Sequence, residues 1–142
     1  MKYSSITIFI LSICLFTCQS KKEDLGLAEN LADFEEFYFK FHEDSLYQMN
    51  HIIFPLQGIP DNVINKPDYN DQFQWDADNW TLNRPIDLEK TGFTRSFTTM
   101  GDRMVTEELR HKSAQYGMVR RFAKIDGEWT LIYYQGINPI QQ

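Results

Sequence analysis

Residues 116–134 read YGMVRRFAKIDGEWTLIYY, and this stretch decides the fold. Asp126-Gly127 stands between two runs rich in aromatic and β-branched residues, the strongest short-range signal for a β-hairpin. With a two-residue turn, Phe122 faces Leu131, Lys124 faces Trp129 and Arg120 faces Tyr133. Strand alternation then puts Tyr116, Met118, Arg120, Phe122, Trp129, Leu131 and Tyr133 on one face. The expected surface is aromatic and apolar, with one guanidinium set into it.

Toward the N-terminus the strand signals continue. Residues 93–100 and 103–109 flank Gly101-Asp102, which predicts a second two-residue hairpin with glycine first. Glutamate and leucine in its second arm are also compatible with a helix. Phe73 and Trp75 alternate with polar neighbours, residues 76–79 have turn composition, and Trp80 and Leu82 alternate again. Residues 56–71 are punctuated by Gly58, Pro60, Asn62, Asn65, Pro67 and Asn70, a long connection of the kind that is functional or mobile in compact domains. Before it, residues 51–54 look extended, and Pro55 closes them because it cannot donate to a ladder.

The pattern changes further upstream. Leu31, Phe34, Phe37, Tyr38 and Phe41 recur at three- and four-residue steps and form one helical stripe, with Asp33, Glu35, Glu36 and Lys40 off it. Asn30 is in place to cap this helix, and Asp33 puts a negative charge in its first turn. Residues 43–49 predict a second short helix. A helix, a short helix and then successive antiparallel strands imply an α+β domain, helices packed against one side of a curved antiparallel sheet.

The chain has 142 residues, enough for one domain. Its start does not belong to that domain. Lys2 precedes an apolar run over 6–16 that is too short to span a bilayer and has the layout of a secretory signal peptide. Leu15-Phe16-Thr17-Cys18 resembles a lipobox, although Phe16 is larger than is usual there. The resemblance implies lipid transfer to Cys18 and cleavage between Thr17 and Cys18; an ordinary signal peptide with an incidental cysteine is the alternative. Residues 1–17 are thus read as signal peptide, 18–30 as lipidated cysteine and tether, and 31–142 as the folded domain.

Cleavage would discard Cys14, one of the two cysteines, and leave no thiol for a disulfide, metal or nucleophile once Cys18 is acylated. It also removes one basic side chain and no acid, taking the net charge from −6 to −7. No basic cluster exists, which argues against nucleic acid and against electrostatic docking on anionic lipid. Membrane attachment would come from acyl chains on Cys18, as in an outer-membrane lipoprotein of a bacterial envelope. Lys22-Glu23-Asp24 resembles a surface-export signal of some Bacteroidetes lipoproteins, and a solvated linker explains it equally well.

Asp33-Phe34-Glu35-Glu36-Phe37, Lys40-Phe41, Asp44-Ser45, Gln48 and Ile53-Phe54-Pro55-Leu56 resemble a Bacteroidetes lipoprotein family catalogued as domain of unknown function 4348. The resemblance implies a nuclear transport factor 2-like fold, a cone of N-terminal helices and a bent antiparallel sheet. Residues 125–131 are similar to the last hairpin of that fold. Where the family pattern has an arginine before the Ile-x-Phe-Pro-Leu stretch, this chain has His51. No catalytic residue comes with the resemblance.

The residues themselves carry no phosphate-binding loop, nucleophile elbow or His-Glu-x-x-His motif. His42, His51 and His111 have no metal-ligand spacing. Residues 76–79 begin like a calcium loop and fail at Trp80; a weak site from Asp68, Asp71, Asp76 and Asp78 is outweighed by a solvated acidic loop. No cofactor is expected. Arg120, beside Tyr116 and Tyr133, is the main candidate for holding a polar or anionic ligand, with Trp75 and Trp80 as a rim. Against this, Arg120 can pair with Glu107 or Glu108, and the two tryptophans can be core. Three function classes follow: a module binding a small ligand in the cone or an envelope protein on the sheet, with an isomerase- or dehydratase-type enzyme as the alternative. A small-ligand site requires a pocket with convergent polar groups, an interaction module a filled cone, and an enzyme a titratable group available in the cone.

Overall fold

A computed structural model describes residues 24–59 and 73–137. Residues 1–17, read above as a signal peptide, and Cys18, Lys22, Glu23, Asp68 and Asp71 lie outside the described residues. A 3-10 turn over Glu29–Leu31 leads into α1 (Ala32–Glu43), then α2 (Ser45–Asn50), β1 (Ile52–Ile59), β2 (Gln74–Trp75), a 3-10 turn (Ala77–Asn79), α3 (Leu88–Thr91), β3 (Phe93–Met100), β4 (Met104–His111), β5 (Gly117–Ile125) and β6 (Glu128–Ile137). The fold is α+β, with helices packed on a curved six-stranded sheet in the order β2-β1-β6-β5-β4-β3.

The helical stripe does what its period demands. Leu31, Phe34, Phe37, Tyr38 and Phe41 are all buried, most of them along α1. The Phe34 ring lies 4.9 Å from Trp129 of β6, 5.4 Å from Phe122 of β5 and 6.2 Å from Phe97 of β3. Neighbouring strands are about 4.8 Å apart, so one ring reaches β6 and β3 together because the sheet wraps around the helix. Each fully buried ring contributes roughly 2–3 kcal/mol of apolar burial, and this shared cluster is the core. Leu25 and Leu27 also pack against it, so packed chain reaches back several residues before Leu31.

Asn30 does not cap α1: it lies in the 3-10 turn, and Leu31 takes the cap position without a side-chain bond. Asp33 anchors the helix start differently. Its Oδ2 accepts from Trp129 Nε1 at 3.1 Å and pairs with Lys124, tying α1 to the final hairpin. The second helix is capped by Asp44, whose carboxylate accepts from the Leu46 and Tyr47 amides.

Four strand pairs are antiparallel, and β1 runs parallel to β6. That parallel pairing requires a long crossover, which the chain between them supplies. Extended chain does not stop at Pro55. Instead β1 runs irregularly between its Ile52–Leu131 and Gln57–Tyr133 pairings, and Pro55 sits in this gap, where no ladder donor is missed. Residues 104–111 form a strand, and the turn before them holds three residues rather than two, because Met100 pairs with Met104. Arg103 stands outside the β3–β4 ladder and continues the pairing with β5, the Lys124 amide donating to its carbonyl at 2.8 Å. Asp126-Gly127 is a two-residue turn as expected, both residues having positive φ.

Candidate functional site

Alternation along the last hairpin holds as far as Phe122 opposite Leu131, and then Ile132 is inserted. Arg120 therefore pairs with Tyr134, and Tyr133 moves to the opposite face, where it stands beneath the Arg121 guanidinium at 5.2 Å. A one-residue bulge thus reverses the expected Arg120–Tyr133 partnership. Tyr116 also leaves the group: it is exposed at the strand entrance, its ring 5.6 Å from His111.

Arg120 itself points into the cone and is 1% exposed. Its Nε donates to Glu107 Oε2 at 2.7 Å, and Nη2 lies 2.7 Å from the same oxygen. Nη1 donates to Asn83 Oδ1 at 2.7 Å and lies 2.7 Å from His42 Nε2. Glu107 Oε1 accepts the Tyr38 hydroxyl at 2.6 Å and lies 3.2 Å from Arg95 Nε. The pairing of Arg120 with Glu107 is the more ordinary of the two sequence expectations, made here with complete burial of the carboxylate.

His42 has one tautomer compatible with these contacts. Its Nδ1 lies 2.7 Å from the Tyr38 carbonyl, which can only accept, so Nδ1 carries the proton. Nε2 is then the acceptor for Arg120, whose nitrogens can only donate. Burial, and next the Arg120 charge, push the His42 pKa down to about 3, so the ring is neutral. Burial also drives the Tyr38 hydroxyl up, so it stays protonated and donates to Glu107. Below the cluster, Gln48 donates to the Phe41 and Asn83 carbonyls and accepts the Asn83 amide. This clamp presents the Asn83 side chain to Arg120. The sequence named Gln48 only in the family resemblance and His42 only as a histidine without ligand spacing, and Asn83 not at all; His42, four residues after Tyr38 on the same helix face, was the available signal for the cluster.

A second group forms where β2 meets β1 and β6. Trp75, Trp80 and Tyr134 lie with ring centroids 5.3–5.9 Å apart and planes 81–89° to one another. The turn between the tryptophans is set by Asp76 and Asn79, each side chain accepting the other's backbone amide. Gly58 makes room: a Cβ there would stand 1.8 Å from the Tyr134 carbonyl oxygen and 3.2 Å from Trp75 Nε1. All three rings are half-buried, and both indole nitrogens are shielded from solvent without a hydrogen-bond partner among the described residues. Of the five residues named from sequence, then, Trp75 and Trp80 stand together, Arg120 lies in the polar cluster, and Tyr116 and Tyr133 stand apart from both.

No protein-family model matches the chain, and no curated protein matches it. Among solved structures, a cystatin-like protein of Bacteroides caccae is similar at a TM-score of 0.54 and 21% identity, over 75% of this chain and 80% of that one. An NTF2-like protein of Bacteroides fragilis aligns at a TM-score of 0.46 and 16% identity, over 74% of this chain and 46% of that one. This chain thus spans less than half of the second protein's length. The first likeness is one of fold alone.

Proposed function

We propose that this chain is a lipid-anchored protein of a bacterial envelope whose cone domain works by binding. The anchor part rests on the apolar run and Leu15-Phe16-Thr17-Cys18; membership of the Bacteroidetes family of domain of unknown function 4348 rests on the residues quoted above for it. The binding part rests on one observation: the polar groups at the centre of the cone are satisfied by one another. Glu107 accepts from Tyr38 and Arg120, and both His42 nitrogens are engaged. Groups held in this way are poorly placed to exchange protons with a ligand, whereas the half-buried rings of Trp75, Trp80 and Tyr134 leave part of their apolar surface exposed where β2 meets β1 and β6. The aromatic mouth is therefore the favoured binding region, and the cone centre a structural one.

Both parts are open to direct tests. The full chain, produced in a bacterium that lipidates exported proteins, is expected to take up labelled palmitate and to partition with membranes, and Cys18→Ser to lose both. Unchanged labelling in Cys18→Ser would remove the anchor. Native mass spectra of the purified protein against a ligand library should show saturable adducts that Trp80→Phe weakens. Adducts lost instead on His42→Gln would relocate binding to the cone centre.

A further inference from the structure

We infer that β3 is an open sheet edge that pairs antiparallel with β3 of a second copy of this chain, joining two sheets across a two-fold axis at Ser96. The sheet ends in two very different strands. At one end β2 is two residues long, a short edge that offers little to pair with. At the other, β3 is eight residues long and pairs with β4 at every position, without a bulge. It contains no lysine and no proline, residues that commonly blunt an edge. Its single charged side chain, Arg95, turns into the cone, where Glu107 Oε1 lies 3.2 Å from its Nε. Among the described residues no strand lies on its outer side.

The ladder fixes which backbone groups the edge offers. The Lys112 amide donates to the Gly92 carbonyl at 2.9 Å, so these two form a hydrogen-bonded pair just before β3 begins. Antiparallel pairs alternate, so Thr94, Ser96, Thr98 and Met100 bond to β4, while Phe93, Arg95, Phe97 and Thr99 turn their N–H and C=O groups outward. A partner strand must meet the same alternation. With the axis at Ser96, Phe93 faces the second copy's Thr99 and Arg95 faces its Phe97, which engages all four outward residues. An axis at Arg95 would set two arginines opposite each other, and one at Phe97 would leave Phe93 without a counterpart. On the outer face Thr94 meets Thr98 and Ser96 meets Ser96, exposed hydroxyls that pair across strands without charge. A second copy thus matches this edge in length, alternation and charge. The contact is self-complementary and closes at two chains, since β2 is too short to extend it.

A cysteine at the axis tests this directly. The two Cα atoms of residue 96 would stand about 4.5 Å apart, within reach of a disulfide. Full-length Ser96→Cys, mildly oxidised on intact bacteria, should give a linked dimer in roughly tenfold higher yield than the parent chain or Glu128→Cys, an exposed site on β6. Thr99→Pro deletes an outward N–H and no bond to β4, so it should abolish the Ser96→Cys link and leave the melting temperature nearly unchanged. Thr98→Pro, whose N–H serves the β4 ladder, should lower that temperature. Should proline at 99 prevent folding, amide exchange of the parent protein decides: the Phe97 and Thr99 amides should exchange roughly tenfold more slowly in concentrated than in dilute protein. A Ser96→Cys link no stronger than that of Glu128→Cys, a link that survives Thr99→Pro, or exchange independent of concentration would each overturn the pairing. A link to a different protein would also overturn it, giving the edge to another chain. None of these readouts depends on lipid at Cys18 or on the aromatic mouth.

Discussion

Glu107→Gln is the most informative perturbation of the cone. The wild-type carboxylate is 0% exposed and faces a guanidinium that is 1% exposed, with two nitrogens of Arg120 each 2.7 Å from Oε2. Glutamine preserves shape but removes the charge that faces the Arg120 and Arg95 guanidinium groups, which can only donate. Breaking a buried pair by neutralising one member costs about 3–5 kcal/mol, because the other charge stays buried. A domain of this size has about 5–15 kcal/mol in total, so the variant is expected to lose roughly a fifth or more of its stability. At about 4 °C per kcal/mol, the melting temperature should fall by some 10–20 °C. Urea unfolding followed by circular dichroism and tryptophan fluorescence gives the number. A loss below about 1 kcal/mol, with the urea dependence unchanged, would mean the pair is hydrated and would refute the closed-cluster reasoning. The double variant Glu107→Leu/Arg120→Met should recover much of the loss, since neither charge remains to be buried.

Other outcomes follow from the same contacts. His42 is neutral in the fold with a pKa of about 3, against roughly 6.5 when unfolded. Only the unfolded chain takes up this proton as pH falls through that window, so stability declines by up to about 1.4 kcal/mol per pH unit below pH ~6; His42→Gln, which can still accept from Arg120, should flatten that decline in urea titrations between pH 6.5 and 5. Gly58→Ala forces a Cβ to within 1.8 Å of the Tyr134 carbonyl oxygen and should cost about 3 kcal/mol or more, with faster amide exchange in β1 than in β4. Asp33→Asn weakens the tie from α1 to Lys124 and Trp129, and because Asp33 is largely exposed the loss in a melting experiment should stay near 0.5–1 kcal/mol.

Much of this fold is legible residue by residue, because periodicity and turn chemistry act locally. Five residues at helical spacing had one place to go, and all five are buried. Asp126-Gly127 could form its turn without reference to distant chain, and Phe122 opposite Leu131 followed from it. Legibility ended at Ile132. Nothing local marks it as an inserted residue, yet the insertion exchanges Tyr133 for Tyr134 beside Arg120 and so redraws the candidate site. The same holds at Gly101-Asp102, where the turn takes in Arg103 as a third residue that pairs with β5 instead.

By itself, then, the sequence determined the two opening helices, the buried stripe of α1, the final turn and the expectation of an exported, lipidated chain, since each depends on neighbours a few residues away. Only the tertiary structure decided which face each aromatic took, that Arg120 would meet Glu107, His42 and Asn83, and that Trp75, Trp80 and Tyr134 would stand together. Those outcomes depend on strand register and on contacts between residues up to 96 positions apart. A single residue added to one strand moves every later side chain to the other face, and no local pattern records it.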